Sequence, residues 1–202
     1  MTTSRLEAFS DGVLAVIITI MVLELHVPGE PTLHALWEET GPGLLTYLLS
    51  FVYIGIYWNN HHHMFQLADR VNGSVLWANL ALLFMLSLYP FTTAWMDETL
   101  SEGFDHHTPV VVYGVNLLAA ALAYYVLQLA IFRAEGAGSK LREAVGDDLK
   151  GKLSPVLYIL GIAASAWIHP LVGIGFFVVV AIIWLVPDRR LEQYIVEHQK
   201  QG

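Results

Sequence analysis

Six apolar stretches divide this sequence, and no other feature restricts its fold as much. They run from Phe9 to Leu25, Gly43 to Trp58, Val75 to Trp95, Pro109 to Phe132, Leu153 to Ile168, and Leu171 to Pro187. Each is bounded by a polar or Pro/Gly-rich break, such as His26-Val27-Pro28-Gly29 or His169-Pro170. A helix needs about 20 predominantly apolar residues to cross a bilayer. Where only strongly apolar positions are counted, the first, second and fifth stretches are among those that fall short of that, so Arg5–Asp11 and Asn59–Phe65 are expected to continue helically past the apolar run. The predicted spans are 5–26, 43–65, 74–96, 108–133, 153–168 and 170–188. Composition agrees: the chain is 55% hydrophobic and 14% charged, with a mean hydropathy of +0.54, whereas a soluble domain carries about 25% charged residues. The expectation is an all-α polytopic membrane protein, a single six-helix domain over residues 1–202.

Charge gives that bundle a direction. All 10 basic residues fall at the N-terminus, between spans two and three (Arg70), between spans four and five (Arg133 to Lys152), and at the C-terminus. The other three connections have no Lys or Arg and hold Glu30, Glu38, Glu39, Asp97, Glu98, Glu102 and Asp105. Basic residues stay on the cytoplasmic side, so both termini are expected there, opposite an acidic outer face. Trp58, Trp77, Trp95, Trp167 and Trp184 lie near span ends, as interfacial belts require. The run Val13–Leu23 has the length of a signal-peptide core. However, Glu7 and Asp11 precede it and no small-x-small cleavage site follows, so it reads as a retained span. The net charge of −8 excludes a nucleic-acid partner, and without Cys there is no thiolate chemistry. No internal repeat of the kind that builds many transporters is visible.

The first span, RLEAFSDGVLAVIITIMVLEL, holds the least expected residues. A carboxylate inside a span is costly and faces protein or water. At about 100° per residue, Val16, Thr19, Ile20 and Leu23 share one stripe, and Asp11 lies roughly 140° from Val16. One face is apolar with a single hydroxyl, and another turns Ser10 and Asp11 toward neighbours. By periodicity alone the stripe reads first as a packing surface inside the bundle, with Asp11 capping or pairing structurally. The second span ends IYWNNHHHMF. Consecutive histidines diverge by about 100° and cannot converge on one ion, and the i, i+4 spacing of a metal helix is missing. No metal site is expected. His61 or His62 instead reaches Ser10 or Asp11 in the same cytoplasmic layer. Pro90 is expected to kink the third span, with Thr92 and Thr93 at hand for freed backbone groups. Tyr113-Gly114 in VVVYGVN matches the end of a TVGYG filter but sits within a long helix rather than a re-entrant loop. No hydrolase motif is present.

The pattern Arg5-x-x-x-Phe9-Ser10-Asp11-Gly12 opening the first helix, with Trp58-x-x-His61-His62 ending the second, resembles the transmembrane protein 175 family. These are lysosomal potassium channels of animals and their shorter bacterial relatives. The likeness covers one whole six-helix unit. It implies a homotetramer in the cell inner (plasma) membrane, surrounded by lipid, with four first helices around a central pore. It further implies a passive, potassium-preferring cation channel that has no cofactor beyond permeant K+ ions. By register from Phe9-Ser10-Asp11, Val16 forms the innermost constriction, Ile20 and Leu23 follow outward, and Thr19 between them is the selectivity candidate. Such apolar rings gate by dewetting and make a passing ion shed water. The resemblance also implies that Arg5, Phe9, Ser10, Asp11, Gly12, Trp58, His61 and His62 form a structural network bracing the first helix. Two other readings stand beside it. One is a proton-coupled secondary transporter using Asp11 and His61 or His62. The other is a haem or metal enzyme built on His61–His63.

Overall fold

A computed structural model of the chain describes residues 2–101, 106–136, 139–146 and 148–185, all helices and connections. Helix α1 (Thr3–Leu23) covers the first expected span. A short lead-in, α2 (Leu33–Ala35), starts where Thr32 accepts the Ala35 N–H at 3.1 Å. The chain then widens into a π turn, Leu36–Thr40, before α3 (Gly41–Leu67). Pro42 accounts for the change of pitch, because it has no N–H for the carbonyl one turn back.

The third expected span, 74–96, is made of two helices that meet at the expected kink: α4 (Gly73–Ser87) and α5 (Tyr89–Ser101). Pro90 cannot bond the Leu86 carbonyl, and the helix breaks at Leu88. Thr92 mends the joint, since its N–H and its Oγ1 both donate to the Leu88 carbonyl, at 3.0 and 3.1 Å. Then come α6 (Thr108–Glu135), α7 (Lys140–Val145), α8 (Leu149–Trp167) and α9 (Pro170–Leu185). Gly136 and Gly146 stop α6 and α7 with φ of 74° and 53°, a backbone conformation that glycine adopts freely. Helix α8 begins before the expected residue 153 because Asp148 caps it, accepting the Gly151 N–H at 2.8 Å. Positions 186–188 of the sixth expected span lie outside the described residues.

Among the described residues, four segments are long and apolar enough to cross a bilayer: Thr3–Leu23, Leu33–Leu67, Gly73–Glu98 and Thr108–Glu135. Helix α9 is apolar but has 16 residues, and α8, with 19, starts with Lys150 and Lys152 near its N-terminus. These two pack on each other and on α6, while α1 packs on α3, α4 and α5. The core between the layers is aromatic. Tyr53, Tyr89, Tyr113 and Phe177 are fully buried, with successive ring centroids 6.0–6.5 Å apart. Their polar ends are mostly spoken for: Tyr53 donates to the Phe177 carbonyl at 2.6 Å, and Ser50 bonds both Thr93 at 2.7 Å and Tyr113 at 3.0 Å. In a bilayer, buried hydroxyls need such partners because no water is at hand. Small residues let the helices close in. A Cβ on Gly114 would strike Phe177, and one on Gly173 would strike Ser165. The Tyr113-Gly114 pair is therefore core packing within α6.

Candidate functional site

Helix α1 has two unlike faces. Leu6, Ser10, Leu14, Ile17 and Met21 are buried against the bundle, at the spacing of an amphipathic helix. Opposite them, Phe9, Val16, Ile20 and Leu23 are 50%, 55%, 42% and 80% exposed, and Arg5, Gly12 and Thr19 share that exposed face. Thr19 turns its hydroxyl hydrogen back onto the Val16 carbonyl at 2.8 Å. Its oxygen lone pairs are therefore what an approaching group would meet.

At the other edge of α1, polar side chains link it to α3 and α4. Ser10 donates to the Leu6 carbonyl at 2.9 Å and accepts from the Asn79 amide at 3.0 Å. The Asn79 carbonyl oxygen lies 2.8 Å from His61 Nε2. With both ends of Asn79 so engaged, His61 donates through Nε2. All three side chains are buried. A second, wetter set lies alongside. Trp58 Nε1 donates to Asp11 at 3.1 Å, and the Trp58 ring stacks on His62 with centroids 6.2 Å apart. His62 Nδ1 meets Glu7 at 2.6 Å, and its Nε2 meets Gln66 at 2.7 Å.

The sequence-predicted residues thus divide between two places. Ser10, Asp11, Trp58, His61 and His62 come together at one end of α1 and α3. Arg5, Phe9 and Gly12 lie on the exposed face instead, beside Val16, Thr19, Ile20 and Leu23. Neither histidine bonds Asp11: His61 reaches Ser10 through Asn79, and His62 pairs with Glu7. Sequence reasoning missed Asn79, Glu7 and Gln66. The signals were an amide inside the apolar run of α4, a carboxylate one turn before Asp11, and an amide one turn after His62. Among the described residues, no group of His, Asp and Glu side chains is arranged to hold a metal.

A family profile described as "Endosomal/lysosomal potassium channel TMEM175" matches residues 5–90, a segment that contains both the exposed stripe and the polar cluster. A potassium channel of Chryseobacterium sp. (strain P1-3) is 52% identical over 200 residues, covering 98% of this chain and 100% of the relative. The chain belongs to the TMEM175 family. A solved structure, a lysosomal potassium-selective channel TMEM175 homolog from Chamaesiphon minutus, superposes with a TM-score of 0.75 at 30% identity. That superposition covers 91% of this chain and 96% of the solved one. The human relative, named endosomal/lysosomal proton channel TMEM175, is 32% identical over 50% of this chain and 23% of its own length. TMEM175 relatives are thus named as channels and not as enzymes. Membership makes this chain a multi-pass membrane protein, resident in the plasma membrane when the host is a bacterium.

Proposed function

We propose that the chain is a passive, potassium-preferring cation channel: six spans, both termini in the cytoplasm, and four copies around a pore lined by α1. The observation that supports this most directly is the exposed stripe of α1 in a chain so similar to a named potassium channel along its whole length. A face meant only for lipid has no use for the guanidinium of Arg5, the open backbone at Gly12 or the hydroxyl of Thr19. Around a four-fold axis the same face becomes rings. Val16, Ile20 and Leu23 then form apolar constrictions that exclude a fully hydrated ion. Potassium, the more easily dehydrated ion, passes such rings at lower cost than sodium. Four Thr19 oxygens, their hydrogens already turned to backbone, offer a partly stripped cation some of its lost ligands. The buried link Ser10–Asn79–His61 and the wetter set around Asp11 and Trp58 hold α1 at a fixed tilt and rotation. Their part is to fix ring diameter without touching the ion.

The test is the reversal potential of the purified protein in a planar bilayer, with potassium on one side and sodium on the other. The current is expected to reverse toward the potassium equilibrium potential, and Thr19→Val to move that reversal toward zero. An unaltered reversal in Thr19→Val transfers selectivity to the apolar rings. A pH gradient in the same bilayer addresses the proton-coupled alternative through Asp11 and His61 or His62. Potassium driven uphill by that gradient would replace the channel with a transporter.

A further inference from the structure

Away from the α1 cluster, α3, α6, α8 and α9 line a partly open cavity of about 60 Å³. One water needs about 10–15 Å³ of such space, so it holds roughly four to six waters, or one compact organic group. Aromatic rings supply much of its wall. Tyr57 and Tyr124 have centroids 6.0 Å apart, and Tyr53 and Tyr158 6.3 Å. The polar groups among them are chiefly acceptors or neutral amides. Asp148 contributes a carboxylate, and among the described residues no Lys or Arg lines this cavity or the lobe that adjoins it beneath α7. Pro155 lacks the N–H that would bond the carbonyl of Gly151, another lining residue.

Gln128 lies where the two lobes meet. It is only 5% exposed, and its side chain has no hydrogen-bond partner among the described residues. As a lining residue of both lobes it offers an amide with free donor and acceptor capacity to whatever occupies the cavity. Faces of aromatic rings attract a cation by their negative quadrupole, and attract it more strongly where water is excluded. A carboxylate and an amide oxygen beside such faces complete the recognition of an ammonium group whose substituents fill the apolar remainder. An anion would meet Asp148, and a neutral apolar molecule would leave Gln128 unpaired.

We propose that this cavity binds an organic ammonium group, caged by Tyr57, Tyr124 and Tyr158 and neutralised by Asp148. The group has two sources, a lipid headgroup entering from the membrane or a free amine from the cytoplasm. Tetramethylammonium chloride is the probe, and the thermal melting of the full-length protein in nanodiscs is the readout, with equimolar sodium chloride as control. In phosphatidylglycerol nanodiscs the probe is expected to raise the melting temperature, as any ligand of the native state does. Half-maximal effect should need about tenfold more probe in Asp148→Asn and in Tyr57→Leu, the loss of one desolvated cation contact. Tyr57→Phe, which keeps the ring, should respond like the parent. If Tyr57→Leu does not assemble, Asp148→Asn decides alone, because asparagine still caps α8. In phosphatidylcholine nanodiscs, disappearance of the shift identifies the lipid headgroup as the occupant, and its persistence identifies a free amine. No shift in phosphatidylglycerol, or an equal shift in Asp148→Asn, overturns the proposal.

Discussion

Asn79 and Trp58 both join α1 to a neighbour, yet they differ in how much their hydrogen bonds weigh. The Asn79 amide bridges Ser10 and His61 in a place that solvent does not reach, with all three side chains at 2% exposure or less. Trp58 is 48% exposed where it donates to Asp11, so water or a headgroup replaces that bond at little cost. Asn79→Leu removes the bridge and leaves His61 with no partner on either ring nitrogen, since its Nδ1 already has none. Ser10 keeps its bond to Leu6. Interhelical polar links of this kind contribute about 1–2 kcal/mol at their strongest, and Asn79→Leu should lose that much. Trp58→Phe should lose only a few tenths of that range. Thermal melts of the two variants in the same detergent compare them directly. Equal losses would mean that burial is not what gives the cluster its strength.

At the scale of whole helices, α8 and α9 meet over small residues. A Cβ added at Gly173 would collide with Ser165 Oγ and stand 2.5 Å from the Gly161 carbonyl, whereas one added at Gly175 meets nothing within 4 Å. Gly173→Ala should therefore push α9 off α8 and cost about 1–3 kcal/mol. Gly175→Ala, two residues along the same helix, should be neutral or stabilising through helix propensity. A melting experiment in which both behave alike would remove close α8–α9 approach as a source of stability. Such contacts show the limit of reading the chain alone. The stripe on α1, the ends of α6 and the break at Pro90 were legible because each depends on periodicity or on the chemistry of one local residue. The collision at Gly173 was not, since nothing in PLVGIGFF distinguishes the glycine that touches from the one that does not. Asn79 hid for the same reason: its partners lie on two other helices, and only packing brings them into reach. The π turn before α3 was missed although Pro42 announced it, because Pro at a helix start ordinarily begins a regular α-helix.

For the molecule as a whole, the question is what stands opposite the exposed face of α1. Gly12 sits in that face, within a helix, where glycine costs about 1 kcal/mol relative to alanine. Nothing in the protomer requires it, since a Cβ there would meet no atom within 4 Å. If four copies converge, the requirement comes from outside the protomer: glycine permits close approach of helices around the axis at the level just inside the Val16 ring. Gly12→Val should then leave the fold of each chain intact, with unchanged helical circular dichroism and a melting temperature equal to or above the parent's. Its effect should appear in the assembly, as loss of the tetramer on light scattering or as a reduced current per tetramer in the bilayer. Lipid makes no such demand on shape. Intact tetramers with parental conductance in Gly12→Val would therefore turn this face of α1 toward the membrane and move the pore to another helix.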